Sequence, residues 1–389
     1  MRITQNFLND SVQFFLRRNT SRLFDAQETV ATQKRINRVS DNPVDASRLL
    51  DIKGAKNRIE QSLRTILRVT SLADIHDTVL GQAGELIVRA KELLLTEANE
   101  VTSTPDSREA ARLEIASITS QLVQVGNTRF DGAYIFSGFS VDTPAFADST
   151  VAVTQTAGTG GAVVSSATVE DTAIVNFDDY EVRFTSPTAY DVVNVTTGAT
   201  LSSGNAYTSG GSIRFDGLEI VISDGTGPPA GGDVFGVTIT AAGVYQGDSG
   251  RQRVEVQTGT TIQQNMIGDE VFKDAGSGGI DIFAVLNDIN TALRNDDRTA
   301  IEAGLQGLDS ARDQLSDQRA TVGSRQNLLQ TVLDRQEEIK FGLESLRSEL
   351  EDADIIEAIT RLNQEQLALE ATLGTAARVI SVSLLDFLR

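Results

Sequence analysis

The strongest constraint on this 389-residue chain is a heptad spacing of apolar residues that occupies both ends and spares the middle. Toward the C-terminus Ile359, Leu373, Ile380 and Phe387 recur in steps of seven, with Gln366 in the remaining slot. A second series, Ile355, Leu362, Leu369 and Ala376, accompanies it, and the two read as the a and d rails of a coiled-coil seam. At the N-terminus Ile3, Phe7 and Phe14, then Leu16, Leu23 and Val30, mark another helical face. Ile301, Leu308, Leu315, Val322, Leu329, Leu343 and Leu350 keep one register, interrupted by Gln336, and Val332, Ile339, Leu346 and Ala353 form a second rail beside it. A seam that runs to the terminal residues is expected to find its partner in the other terminus, in another subunit, or in both.

Turn chemistry divides the helical ends. Residues 1–38 read as one helix. Val39-Ser40-Asp41-Asn42-Pro43-Val44-Asp45 is a turn into a second, with Asn42 or Asp41 as cap and Pro43 at the first helical position. That helix is expected to continue to about residue 98 and to break at Thr102 to Pro105. A third opens at Asp106, with Glu109 placed for a capping box. After Gly138 the composition changes. Residues 139–280 read as short strands at Val151–Thr154, Ala173–Phe177, Tyr180–Thr185, Asp191–Thr196, Ser212–Phe215, Leu218–Ile222, Val234–Thr240 and Arg253–Gln257. Asp216-Gly217 is a hairpin signal, because a two-residue turn needs two positive φ angles. Gly225-Thr226-Gly227-Pro228-Pro229 and Gly276–Gly279 are expected to be loops, and the helix period returns near Ile280.

The expected fold is mainly α at both ends, as long helices in an antiparallel bundle or coiled coil, with an inserted all-β central domain and an elongated outline. Three domains are expected: residues 1–40 with 352–389 as a terminal coiled coil, 41–138 with 281–351 as a helical bundle, and 139–280 as the β insertion.

Composition excludes several function classes. There is no cysteine, which removes disulfides, zinc–thiolate sites and thiol nucleophiles. The single histidine, His76, reads as a partly exposed helix residue with no Ser or Cys partner pattern around it. Asp178-Asp179 and Asp269-Glu270 are adjacent pairs whose side chains are expected to diverge. The glycine clusters lack the Lys-Ser/Thr of a phosphate loop. No catalytic residue, cofactor or metal is expected, and the chain does not read as an enzyme. A net charge of −20 opposes nucleic acid as a partner. That charge is uneven: residues 1–70 carry a net +6 and residues 139–280 a net −12. No stretch approaches the ~18–20 unbroken apolar residues of a membrane span. FLNDSVQFFL, broken by Asn9, Asp10, Ser11 and Gln13, is not expected to serve as a cleaved leader.

The helical ends also carry motifs. Met1-Arg2-Ile3-Thr4-Gln5-Asn6, with Thr32-Gln33-Lys34-Arg35-Ile36-Asn37-Arg38-Val39-Ser40-Asp41-Asn42-Pro43, resembles the start of the flagellin superfamily. Within it the likeness is closer to the hook–filament junction branch, the hook-associated type, than to filament flagellin. Asn127-Thr128-Arg129-Phe130-Asp131-Gly132-Ala133-Tyr134-Ile135-Phe136-Ser137-Gly138 is similar to the motif that closes the N-terminal helical region in that family. Phe215-Asp216-Gly217-Leu218, Tyr245-Gln246-Gly247-Asp248, the segment Ser348 through Asp354, and Leu384-Leu385-Asp386-Phe387-Leu388 fit the junction type as well. The sequence departs from the pattern at Gln33, where relatives more often place Gly, and at Val39, where many have Pro.

The resemblance implies a structural subunit of the bacterial flagellum, located outside the cell and passed through the type III export channel without a cleaved signal. It further implies as partners copies of itself in a ring, the other hook–filament junction protein, flagellin, and a cytosolic export chaperone on the C-terminal helix. Filament flagellin, or another flagellin-like surface polymer, is the alternative. The candidate assembly residues are Ile3, Phe7, Phe14, Leu23, Val30, Leu362, Leu369, Leu373, Ile380, Leu384 and Phe387. A single stripe can also face its own partner helix within the chain.

Overall fold

The heptad segments fold as six α-helices in the computed structural model: α1 (Arg2–Thr32), α2 (Pro43–Glu97), α3 (Pro105–Gly126), α4 (Ile282–Asn295), α5 (Arg298–Glu351) and α6 (Ile355–Phe387). The structure describes residues 2–99, 103–172, 174–273 and 278–387, with side chains at Phe7 and from Asp10 to Arg378 within those spans. The chain divides into two compact units, Met1–Thr65 with Thr331–Arg389, and Ile66–Gln330, so α2 and α5 each contribute to both.

Local chemistry sets the helix ends. Asn42 caps α2, its Oδ1 accepting the Asp45 N–H at 3.2 Å, and Pro43 follows where its missing N–H costs nothing. At α3 the capping box is formed by Thr104 and Ser107, not by Glu109. With Thr104 as the cap, Ser107 is the third helical residue, and Glu109 lies too far along; it pairs with Arg112 instead. Asp296, in the left-handed region at φ 54°, ends α4 and separates it from α5. The heptad pattern had given no sign of that break.

In the second unit α2, α3, α4 and α5 surround one core, with Leu80, Ile87 and Leu94 of α2, Ile115 and Leu122 of α3, Leu286 of α4, and Leu308, Leu315 and Val322 of α5 all buried. Arg319 reaches Asp77 at 2.9 Å and Gln326 donates to Asp74 at 2.8 Å, which fixes α2 and α5 as antiparallel there. In the first unit the α2–α5 contact is thinner. Ala46, Leu49, Val332 and Gln336 are buried, and Lys56 meets Glu344 at 2.7 Å.

A small hairpin of β1 (Arg129–Phe130) and β2 (Ala133–Tyr134) precedes the insertion, which contains β3 (Phe146–Ala147), β4 (Thr150–Ala157), β5 (Ala162–Val169), β6 (Tyr180–Ser186), β7 (Ala189–Asn194), β8 (Thr200–Ala206), β9 (Ser212–Phe215), β10 (Leu218–Asp224), β11 (Val234–Thr240), β12 (Val244–Tyr245), β13 (Arg253–Gln257) and β14 (Thr260–Gln263). A five-stranded sheet in the order β4-β11-β6-β7-β8 faces a three-stranded sheet in the order β5-β10-β9, all antiparallel. Val182, Phe184, Val192, Phe235 and Val237 from the first meet Ile213, Leu218, Ile220 and Ile222 from the second. Between β9 and β10, Asp216 and Gly217 take φ of 41° and 74°, the two positive angles expected of the Asp-Gly turn. A Cβ on Gly217 would also come within 2.5 Å of the Asp171 carbonyl. Of the expected strands, 174–177 is not one, and Ala173 lies outside the described residues. The strands β5, β8 and β14 and the two-residue strands β1, β2, β3 and β12 are not among those expected.

The sparse aromatics gather where the insertion meets the bundle. Phe136, Phe146, Phe272 and Phe283 form edge and tilted contacts at 5.0–6.0 Å between centroids. Here the two motifs at 127–138 and 245–248 meet. Asp248 accepts from the Phe139 N–H and the Ser140 hydroxyl, both at 2.8 Å, and the Tyr245 hydroxyl donates to the Phe136 carbonyl at 3.0 Å. Gly138 has φ 73°, and a Cβ there would collide with Asp248. The motifs therefore clasp the outgoing and returning chain. On another side, Asp178 is buried and takes both guanidinium nitrogens of Arg294 at 3.0 Å, with the Asn194 amide at 2.8 Å. It is a strap to α4 and, as expected, does not converge with Asp179.

His76 corrects the reading of a partly exposed residue. It is 2% exposed, packs on the Phe136 ring and leaves Nε2 without a partner. Burial pushes the imidazole down to about 4, while an unfolded histidine protonates near ~6.5. Between those values the unfolded chain binds the extra proton, so stability falls as pH drops from about 6.5 toward about 4. His76→Leu is expected to flatten this part of the profile by up to about 3 kcal/mol, measured as the difference in urea unfolding free energy between the two proteins across that range. Parallel profiles would show that His76 does not contribute.

Candidate assembly surface

The first and last helices lie antiparallel within the first unit. The Asn19 amide donates to the Thr372 hydroxyl at 2.6 Å, while Gln33 after α1 accepts from the N–H of Ala353 before α6 at 3.0 Å. The facing residues keep strict a/d spacing. On α1 they are Leu16, Asn19, Leu23, Ala26 and Val30; on α6 they are Ala358, Leu362, Glu365, Leu369, Thr372 and Ala376. Of these only Ala26, Ala358 and Ala376 are fully buried, and the larger side chains are half-buried. The seam is narrow and partly polar.

Large apolar side chains on both helices are left outside it. Phe7 is 71% exposed, Ile356 79% and Leu373 51%, and Phe14, Ile359 and Leu367 are exposed with them. The structure separates the two sequence rails of α6 beyond its first turn: Leu362, Leu369 and Ala376 face α1, although Ile355 of the same series is exposed, whereas Ile359, Gln366 and Leu373 face outward. Leu23 and Val30 belong to the inner seam of α1, and Phe7 and Phe14 to its outer face. The side chains of Ile3, Ile380, Leu384 and Phe387 lie outside the described residues. Ile356, Leu367, Phe15 and Phe24 are exposed large residues that the heptad reading had not singled out. Ile356 and Leu367 are eleven residues apart, a spacing that stays on one face of a straight helix, and this was the signal available for them.

Large apolar residues left exposed in this number along one helix pair mark it as an interaction surface. Each, if fully covered, contributes ~1.5–3 kcal/mol, so six of them supply on the order of 10 kcal/mol that the single chain leaves unused. Among the described residues no group of His, Asp and Glu is placed to hold a metal ion, and no helix is long and apolar enough to cross a membrane.

The outer helices join the rest of the unit through two bends that touch. Lys34 and Asp352 form an antiparallel β-bridge, and the Arg35 N–H donates to the Glu351 carbonyl at 2.7 Å. To enter this bridge the backbone at Gln33 takes φ 59°, a left-handed conformation that costs a side-chain-bearing residue ~1–2 kcal/mol. Asp41 braces the next turn by accepting the N–H groups of Arg38 and Asn37 at 2.7 and 3.0 Å; the Arg38 bond is the main reason its carboxyl is held below the ordinary range.

Comparison with known proteins gives consistent matches. A model of the bacterial flagellin N-terminal helical region matches residues 3–140, and one of the bacterial flagellin C-terminal helical region matches residues 305–388, together more than half of the chain. Flagellar hook-associated protein 3 of Escherichia coli is 28% identical over 122 residues, covering 31% of this chain and 38% of that protein. The chain therefore aligns with well under half the length of that relative. Polar flagellin C of Vibrio parahaemolyticus is 21% identical over 378 residues, 95% of this chain and 94% of that one. A solved Vibrio parahaemolyticus structure described as a flagellar hook-associated protein has a TM-score of 0.51 at 17% identity, covering 80% of this chain and all of that one, and shares the fold.

Gln33→Gly is expected to stabilise the chain by about 0.5–1 kcal/mol, since relief of the left-handed strain exceeds the extra entropy of glycine when unfolded. A β-branched residue at the same place is expected to destabilise it. Denaturant midpoints of Gln33→Gly and Gln33→Val check both; a loss of stability on Gln33→Gly would mean that the side chain itself holds the bend.

Proposed function

The chain belongs to the bacterial flagellin family, and from that premise we propose that it is a structural subunit of the flagellum that forms the junction between hook and filament. The observation that carries the reading is the outward apolar face of the terminal helices. A single chain that keeps Phe7, Phe14, Ile356, Leu367 and Leu373 in water has a surface for neighbours rather than for a small substrate. In this reading residues 1–40 with 352–389 are the assembling part, 41–138 with 281–351 the bundle that carries it, and 139–280 a solvated acidic insertion. Phe7, Phe14 and Leu373 face other subunits. Leu23, Val30, Leu362 and Leu369 set the pair that presents them, and Ile3, Ile380, Leu384 and Phe387 are assigned to assembly from their spacing in the sequence. The partners are copies of this chain in a ring, the other junction protein, flagellin, and before export a cytosolic chaperone on the C-terminal helix. The subunit leaves the cell by the type III route without a cleaved signal and has no catalytic role.

Local likeness to hook-associated protein 3 and the Ser40-Asp41-Asn42-Pro43, Tyr245-Gln246-Gly247-Asp248 and Leu384–Leu388 motifs support the junction over the filament. The end-to-end likeness to polar flagellin C supports the alternative, a filament flagellin. Deleting the gene separates them. Bare hooks with flagellin shed into the medium are expected for a junction subunit, seen by electron microscopy and immunoblot; persisting filaments would make this a minor flagellin.

Leu373→Asp tests the surface. At a half-exposed position the change is expected to alter monomer stability by no more than about 0.5 kcal/mol. Burying a carboxylate in a subunit interface costs several kcal/mol, so assembly is expected to fail. Circular dichroism melting of the monomer and filament counts in cells complemented with the variant check the two halves; normal filaments would remove Leu373 from the interface.

A further inference from the structure

The last residue of α5 carries a buried acid with more cationic partners than its place requires. The Glu351 side chain is 3% exposed, and its Oε1 takes both the Lys34 and the Lys53 ammonium groups at 2.8 Å. Arg347 approaches Oε2 at 3.7 Å, its buried Nε having no hydrogen-bond partner of its own. Burial raises the carboxyl, but the hydrogen bonds of the two lysines outweigh it and hold the acid below its ordinary range. The three cations come from different parts of the unit: Lys34 from the bend after α1, Lys53 from α2, and Arg347 from α5 itself.

The backbone meets at the same point. The Arg35 N–H donates to the Glu351 carbonyl, the Ala353 N–H to the Gln33 carbonyl at 3.0 Å, and the Arg35 guanidinium to the Leu350 carbonyl at 3.0 Å. A two-strand contact this short is marginal by itself, and here it is also entered through a strained Gln33. Something must hold it closed: the buried Glu351 carboxylate bonds both the bend and α2 at 2.8 Å, while Asp45 of α2 reaches Arg35 of the bend only at 3.8 Å.

We propose that Glu351 is a positioning residue for assembly: it latches the bend after α1 to α2 and to the end of α5, so that the paired terminal helices leave α2 and α5 in one fixed direction. This rests on the assembly role given above for the terminal pair. With the latch intact, α1 and α6 turn together as one arm. With it open, the two helices stay joined by their seam, but the pair hangs on two loosened bends and no longer presents Phe7, Phe14 and Leu373 in a set direction from α2 and α5.

Glu351→Gln keeps the shape and removes the charge; Lys34→Met with Lys53→Met removes the partners and keeps the acid. On the isolated full-length chain, both are expected to speed amide hydrogen exchange at Arg35 and Ala353 at least tenfold while leaving Leu94, Leu122 and Val182 unchanged. Unchanged protection at Arg35 and Ala353 in either variant would overturn the latch. This measurement does not depend on any flagellar role. In deletion cells, wild-type chain restoring filaments while Glu351→Gln sheds flagellin supports positioning. An opened bend with filaments restored as by wild type would overturn it, and wild type failing to restore filaments would instead count against the junction reading.

Discussion

The fold depends on the antiparallel pairing of α2 with α5. Two helices of this length cannot be stabilised by intrinsic propensity; their stability comes from the apolar stripe each buries. In the second unit that stripe is covered from several sides, because α3 and α4 close over Leu80, Ile87, Leu94, Leu308, Leu315 and Val322. In the first unit the cover is thinner, and Val44, Leu50, Ile339, Phe341 and Leu346 are exposed. The interruption of the heptad at Gln336 falls in this thinner stretch. Its amide is buried with Oε1 unsatisfied, a cost that a better covered core would make larger still.

The same pairing determines how much of the structure was legible in the sequence. Apolar periodicity announces helices strongly, so α2 and α3 were visible with nearly correct limits and α5 and α6 as helical stretches, whereas the first helix, read to residue 38, ends at Thr32. What the heptads could not announce was an interruption compatible with their period. The α4–α5 break at Asp296 falls between apolar residues that continue on either side, so periodicity alone reads across it. Strands were legible where alternation met β-branched residues, as in Val234–Thr240 and Leu218–Asp224. β8 was not, because Thr-Leu-Ser-Ser-Gly-Asn-Ala has little to bury and pairs on one edge only. His76 misled for a different reason. Its helical neighbours Leu72, Ala73, Val79 and Leu80 are apolar and place it on the buried face, but the ring that packs on it, Phe136, comes from sixty residues on.

At the candidate surface the sequence showed two rails on α6 but not which would face inward. Both are apolar at the spacing of a seam. The decision rests on small and polar residues at the inner positions: Asn19 of α1 meets Thr372, and Ala26, Ala358 and Ala376 are buried along the seam. Close approach requires small side chains on both sides, and the α6 rail that contains Ile359 and Leu373 has none described. The bulkier rail is left outside by elimination, and no reading of α6 alone reveals it.

That choice has a thermodynamic consequence. Alanines bury little area, so the inner seam gains modestly from closing, and the Asn19–Thr372 hydrogen bond adds alignment more than strength. A polar pair at a seam position fixes register at some expense of stability. A seam filled with leucine would close more firmly, but it would tolerate slippage by a heptad and would compete with the outer face for the same partners. Keeping the inner contact weak but registered, and the large side chains outside, leaves most of the available burial free energy for neighbouring molecules. The terminal pair is then least stable alone and most stable when covered, a balance set by which residues are small rather than by which are hydrophobic.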